Sequence, residues 1–166
     1  FLESILDIKI DSLSLDLSTE LQPDFYDGKR SRVDVRTRLS DGTEVNIEMQ
    51  TSIYGSDAYS EKRCLQYWSK IFSNTLEKGH SYHSLKKTIC IWILNDNYYH
   101  DFTNFESTWL VLNPESPEIR HFTDFEIHVI ELKKFRESDT IELSRKNLWL
   151  WFLDHTNKEL IEMACI

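Results

Sequence analysis

Asp34, Glu48 and Gln50 are the residues of this chain whose types and spacing could do chemistry. Two carboxylates and an amide in the pattern D-x13-E-x-Q offer hard oxygen donors. Such donors suit Mg²⁺ or Mn²⁺, which are commonly held by one or two carboxylates with water and phosphate completing the shell. A cation held there can polarise a phosphate ester, acidify an attacking water and stabilise a leaving oxygen. Whether the three side chains meet depends on the elements that carry them.

Residues 32–39 alternate, with Val33, Val35, Thr37 and Leu39 on one side and Arg32, Asp34, Arg36 and Arg38 on the other. Residues 44–50 do the same, Val45, Ile47 and Met49 against Glu44, Asn46, Glu48 and Gln50. Alternation over this length marks half-buried strands. Between them, Ser40-Asp41-Gly42 is a turn signal. A two-residue loop at Asp41-Gly42 would set the apolar side of one strand against the polar side of the other, since a slip of one residue inverts a whole face. A three-residue loop, with Gly42 in the left-handed position of a G1 bulge, pairs Leu39 with Thr43. Val33 then meets Met49, Val35 meets Ile47 and Thr37 meets Val45. On the other face Asp34 opposes Glu48, Arg36 opposes Asn46, Arg38 opposes Glu44, and Gln50 follows Glu48. Directly opposed residues have Cβ atoms ~4.5–5.5 Å apart, and like charges so placed repel. A cation would relieve that repulsion. The alternative is a solvated polar face on which Arg36 and Arg38 neutralise Asp34, Glu44 and Glu48 without metal.

Other segments supply the surroundings. Residues 1–6 read as the end of a helix, 8–17 as a strand and 23–29 as a loop. Over 59–76, Cys64, Tyr67, Trp68, Ile71, Phe72 and Thr75 keep helical spacing, and Gly79 is placed to end that helix. The apolar run Ile89-Cys90-Ile91-Trp92-Ile93-Leu94, within 87–94, predicts a strand buried on both faces. Segments 108–112 and 125–132 read as short strands. Residues 139–154 read as an amphipathic helix with Ile141, Leu148, Trp149 and Phe152 on or near one face. Trp68, Phe72 and Trp92 fall on apolar faces and are expected in the core. Trp149-Leu150-Trp151-Phe152 is expected to pack, or to form a homodimer contact. The order of elements predicts an α/β domain with a mixed sheet. Residues 1–166 are read as one domain that lacks the start of its first helix, because the sequence opens at Phe1 rather than Met.

Composition narrows the function. Hydrophobic residues at 40% and aromatics at 13% exclude a disordered chain. With four glycines, neither a P-loop nor a GxGxxG pattern can be written. A formal net charge of −9 argues against a broad electrostatic binder of nucleic acid. Basic residues nevertheless gather near the carboxylates in sequence: Lys29, Arg30, Arg32, Arg36, Arg38, Lys62 and Arg63. Cys64, Cys90 and Cys165 lack the spacing of zinc ligands and suggest a reduced, cytoplasmic protein. His80 and His83 are expected at the surface. The longest apolar stretch, 89–94, is far short of the ~20 residues that span a bilayer.

The hairpin pattern resembles the PD-(D/E)XK nuclease signature, an Asp before a hairpin and an E-x-K after it. More closely, the chain resembles the recombination-promoting nuclease and transposase branch of that superfamily. The stretches that carry the likeness are Ser31-Arg32-Val33-Asp34-Val35-Arg36, Asn46-Ile47-Glu48-Met49-Gln50, the RCLQYW run from Arg63 to Trp68, Lys78-Gly79-His80-Ser81-Tyr82 with Leu85, and Ile91-Trp92-Ile93-Leu94. The resemblance implies a restriction-endonuclease-like core, a mixed central sheet flanked by helices, and cleavage of DNA with Mg²⁺ or Mn²⁺. Asp34 and Glu48 would be the metal ligands, Gln50 would hold the place usual for lysine, and Glu3 would be the acidic residue supplied by the first helix. Glutamine is neutral and can orient a water but does little to acidify it, so activation would fall mainly to the metal. Arg36, Arg63 and Tyr67 are the candidate DNA contacts, against a reading in which Arg63 only pairs with Glu61 or stacks on Tyr59 or Tyr67. The competing function is a non-catalytic nucleic-acid-binding or protein-interaction module on the same fold.

Overall fold

The computed structural model describes residues 1–16, 20–21, 31–32, 34–50, 58–138 and 142–154. Its centre is the apolar run read as a doubly buried strand, β6 (Thr88–Leu94), in which every residue is buried. Such a strand needs parallel neighbours and a layer on each face. β5 (Glu44–Gln50) and β8 (Phe125–Glu131) flank it in parallel. The six-stranded order is β1-β4-β5-β6-β8-β7, with β1 (Leu13–Asp16), β4 (Val35–Leu39) and β7 (Glu106–Leu110) joined antiparallel at the two sides. A separate pair joins β2 (Glu20–Leu21) to β3 (Ser31–Arg32).

Alternation along the central strands sorts the two faces. Val45, Ile89, Ile91, Ile93 and Ile130 pack with Leu2 and Ile5 of α1 (Leu2–Leu6), Leu132 and Phe135 of α3 (Leu132–Glu137), and Leu150 of α4 (Arg145–Leu153). Cys90, Trp92, Leu94, Ile127 and Val129 pack on the other face with Cys64 and Trp68 of α2 (Ala58–Asn74). Each fully buried Ile or Leu contributes about 1.5–3 kcal/mol. The Trp68 indole N–H donates to the Thr88 carbonyl at 2.8 Å, fixing α2 over the start of β6. Trp68 also stacks on Phe72, and Trp92 is buried against Tyr98. Trp92 and Trp68 belong to the core, as their spacing implied; Phe72, expected there too, is only partly buried and joins it through its stack on Trp68.

Several sequence expectations need correcting. The strand read over 8–17 begins only at Leu13. Asp7 takes a left-handed φ of 51°, and the Ile10 N–H is used by the Glu3 carboxylate, so the chain is still turning off α1 there. The helix read over 59–76 ends at Asn74, not at Gly79: the N–H groups of Thr75 and Leu76 bond three residues back, to Phe72 and Ser73. Gly79, at φ 88°, serves the turn that follows. The strand read over 108–112 lies two residues earlier, and residue 132 opens α3, an extra helix. The last helix starts at Arg145, capped by the Ser144 hydroxyl on the Asn147 N–H. It buries Leu150 and Asn147, while Leu148, Trp149 and Phe152, the residues read as one apolar face, stand half exposed. The 23–29 loop, Val33, Ile141 and Cys165 lie outside the described residues.

The hairpin turn carries the first prediction. Gly42 has φ 89°, its N–H donates to the Leu39 carbonyl, and the Leu39 N–H donates to the Thr43 carbonyl. A side chain there would meet the Lys86 methylenes at 3.1 Å and sit in a left-handed conformation. Gly42→Ala is expected to destabilise the protein by about 1–2 kcal/mol, read as a lowered urea midpoint at unchanged slope.

Candidate active site

The register of the β4–β5 hairpin is the one the hydrophobic pattern selects: Val35↔Ile47, Arg36↔Asn46, Thr37↔Val45 and Arg38↔Glu44. One step further, Asp34 bonds to Glu48 through its backbone and to the neighbouring Met49 through its side chain. The Asp34 N–H donates to Glu48 Oε1 at 3.2 Å, and the Met49 N–H donates to Asp34 Oδ2 at 2.8 Å. The Asp34 carboxylate thus occupies the place of a strand carbonyl at the end of the ladder. Gln50 follows Glu48 on the same face, at the C-terminal end of β5.

The polar face of β5 is not the solvated surface that alternation alone suggests. α2 covers it, and Glu44, Asn46 and Glu48 are buried. Arg36 and Arg38 do not neutralise the Asp34–Glu48 pair. Both reach Glu44, Arg36 through Nε at 3.1 Å and Arg38 through Nε at 2.5 Å, and Arg36 also pairs with Asp16 at 3.2 Å. Of the candidate DNA contacts, Arg36 therefore has its guanidinium turned inward. Arg63 on α2 lies 3.8 Å from Glu48 Oε2 and sits over the Tyr67 ring at 5.6 Å. Glu3 stays apart: its carboxylate holds the Ile10 N–H, and α1 packs on the opposite face of the sheet. His80 and His83 are exposed, as expected.

Burial, and next the charge of Asp34, push the Glu48 carboxyl up to about 7; hydrogen bonds from the Asp34 N–H and the Asn46 side chain, and the Arg63 charge, only partly oppose this. The folded state therefore holds that proton more tightly than the unfolded chain. The sign follows: this group's contribution to stability is greatest below about 4.5, falls as pH rises, and is lost above 7, a change of about 3 kcal/mol. Denaturation at pH 5 and pH 8 should show this fall in the wild type. Glu48→Gln should lose it and be the more stable protein at pH 8.

A divalent cation would answer the same repulsion. Among the described residues no group of three or more His, Cys, Asp or Glu is placed to hold a metal. Two carboxylates with Gln50 beside them still match a Mg²⁺-type site, in which water and phosphate supply the remaining oxygens. The residues present fit the group.

Sequence reasoning gave no role to two features of the surroundings. Asn46, Cys64 and Cys90 line a small cavity against Glu48 and Arg63. The Cys90 thiol is held well above its ordinary range, first by a hydrogen bond with Cys64 and then by burial, which makes it a packing residue and a poor nucleophile. A larger cavity of about 780 Å³ opens beyond β8, lined among others by Asn97, Tyr99, Phe102 and Lys134, and includes none of the candidate site residues. Asn46 could have been flagged from the sequence, since it sits between two acids on the polar side of β5.

A mixed sheet with helices on both faces, and an acidic hairpin at one end of its parallel strands, defines the restriction-endonuclease-like fold of PD-(D/E)XK proteins. The family model described as PD-(D/E)XK nuclease family transposase matches residues 1–165, and the chain belongs to that family. No curated protein and no solved structure matches it. Among the described residues no helix is long and apolar enough to cross a membrane.

Proposed function

We propose that this chain is a divalent-metal-dependent DNA endonuclease, acting in recombination or the movement of mobile elements in the cytoplasm, with Asp34 and Glu48 as metal ligands. The observation that carries the reading is the juxtaposition of a buried Glu48 with Asp34, while Arg36 and Arg38 are both committed to Glu44. A hairpin that sends two arginines to one carboxylate and leaves two other carboxylates facing each other is arranged for an added cation. Mg²⁺ or Mn²⁺ bound there would neutralise charge developing on the phosphodiester and acidify a water. Asp34, braced by the Met49 N–H, and Glu48, braced by the Asp34 N–H, would hold their oxygens toward it. Gln50 would orient the attacking water by hydrogen bonds. Arg63, about a third exposed on its cushion of Tyr67, would meet a DNA phosphate.

The test is nicking of supercoiled plasmid with Mg²⁺, with Mn²⁺ and with chelator. Nicking with either metal and none with chelator supports the reading; metal-independent or absent nicking sinks it. A net charge of −9 and the neutral Gln50 favour a second reading, a non-catalytic nucleic-acid-binding module. That reading requires DNA binding with a steep salt dependence and no cleavage under any metal.

A further inference from the structure

The Arg63–Glu48 pair is separated by 3.8 Å, too long for a hydrogen bond and short enough for one molecule to bridge. Beside it lies the cavity bounded by Asn46, Glu48, Arg63, Cys64, Tyr67 and Cys90, with about 10 Å³ of room for the centre of a water-sized sphere. That is close to the space one water occupies in a protein interior. A buried water also needs two to four polar partners. Asn46 is 1% exposed, and its Oδ1 has no hydrogen-bond partner among the described residues. Its amide N–H group is already engaged, with the Cys90 sulfur at 3.9 Å and with the Glu48 carboxylate. An acceptor so deeply buried and left over is costly to the fold unless something donates to it.

We infer that this cavity binds a single water molecule, which accepts from Arg63 and donates to Glu48 Oε2 and Asn46 Oδ1, so that Asn46 and Arg63 are positioning residues for the Glu48 carboxylate. The donor and acceptor count closes. Arg63 Nη2 is a donor only, Asn46 Oδ1 and, with the carboxylate ionised, Glu48 Oε2 are acceptors only, and a water offers two hydrogens and accepts from the guanidinium. Glu48 Oε1 is held from the other side by the Asp34 N–H. The carboxylate is then fixed at both oxygens, and its plane cannot swing. For its functional consequence the inference rests on the reading of Glu48 as a metal ligand; the water site itself does not. Partners behind a ligand of this kind typically change metal affinity by about 10–100-fold.

Two measurements test it. In a high-resolution crystal structure of the metal-free protein, one water should lie within hydrogen-bond distance of Asn46 Oδ1, Glu48 Oε2 and an Arg63 guanidinium nitrogen. Absence of density there, or direct closure of Arg63 on Glu48, overturns the inference whatever the protein does with metal. In solution, Mn²⁺ binding is followed by electron paramagnetic resonance for the wild type, Asn46→Leu and Asn46→Ser. Asn46→Leu fills the space and removes the orphaned acceptor, so it should unfold at no lower urea concentration yet bind Mn²⁺ about tenfold more weakly. Asn46→Ser keeps a hydroxyl and leaves room for water, and should recover part of that affinity. Equal affinity in all three overturns the positioning role. A wild type that binds no Mn²⁺ overturns that role and the metal reading together, while the crystallographic result still decides the water site.

Discussion

Alanine at Asp34 or at Glu48 is expected to reduce metal-dependent nicking by at least about 100-fold. A bound divalent cation provides several kcal/mol of transition-state charge stabilisation, and each ~1.4 kcal/mol is a factor of ten in rate. With two carboxylates brought together, neither can be spared. The two losses should differ in what else they disturb. Asp34→Ala removes the acceptor for the Met49 N–H and so loosens the end of the hairpin. Asp34→Asn keeps an oxygen able to accept that bond and removes only the charge. If the role of Asp34 is ligation, Asn and Ala variants should both be inactive although Asn leaves thermal unfolding close to wild type. If its role is only to hold the hairpin, Asn should be active and Ala alone impaired. Glu48→Ala leaves less ambiguity, because a group held near 7 by burial and by Asp34 is a burden to the fold without a cation. Nicking that persists in both alanine variants, purified in parallel with the wild type, removes the candidate site.

The parts of this molecule that were legible in the sequence are those governed by alternation. The hairpin register needed only the rule that apolar faces coincide, and it brought Asp34 to Glu48 with Gly42 in a left-handed turn. The doubly buried β6 followed from an unbroken apolar run. What alternation cannot show is the layer that lies above a strand. The polar side of β5 looked like a solvent face, and only tertiary packing of α2 reveals Asn46 and Glu48 as buried. The same limit explains α4, where Leu148, Trp149 and Phe152 look like a buried stripe but Leu150, with Trp151 and Leu153 packed beside it, meets the core. A helix of nine residues can present either stripe, and the sheet decides which. α3 was missed because six residues, Leu132–Glu137, are too few for a clear period. Ion-pair choice was not legible either: three acids and three arginines shared one face, and the structure sends Arg36 and Arg38 both to Glu44.

That assignment carries the second large prediction. Glu44 is 1% exposed and accepts from Arg36 and Arg38, the former itself largely buried. Glu44→Ala is expected to cost roughly 3–5 kcal/mol, because removing one partner of a buried pair leaves the other charge uncompensated. Asp16, 40% exposed and still 3.2 Å from Arg36, should keep the value near the lower end. The consequence for the site is separate from the stability loss. Arg36 lies opposite Asn46, and Glu48 is its diagonal neighbour, a relation that spans ~7–8 Å and is within reach of a long side chain. Released from Glu44, the guanidinium can turn to Glu48 and do the work of the cation. Mn²⁺ affinity should therefore fall in Glu44→Ala and return in Glu44→Ala/Arg36→Ala, which also removes the stranded charge and should recover part of the stability. The double-mutant cycle separates the two effects. Affinity that falls and does not return would mean that Glu44 supports the site through the backbone of β5. Affinity that never falls would mean that the arginines do not compete for Glu48, and that segregating them on Glu44 serves folding alone.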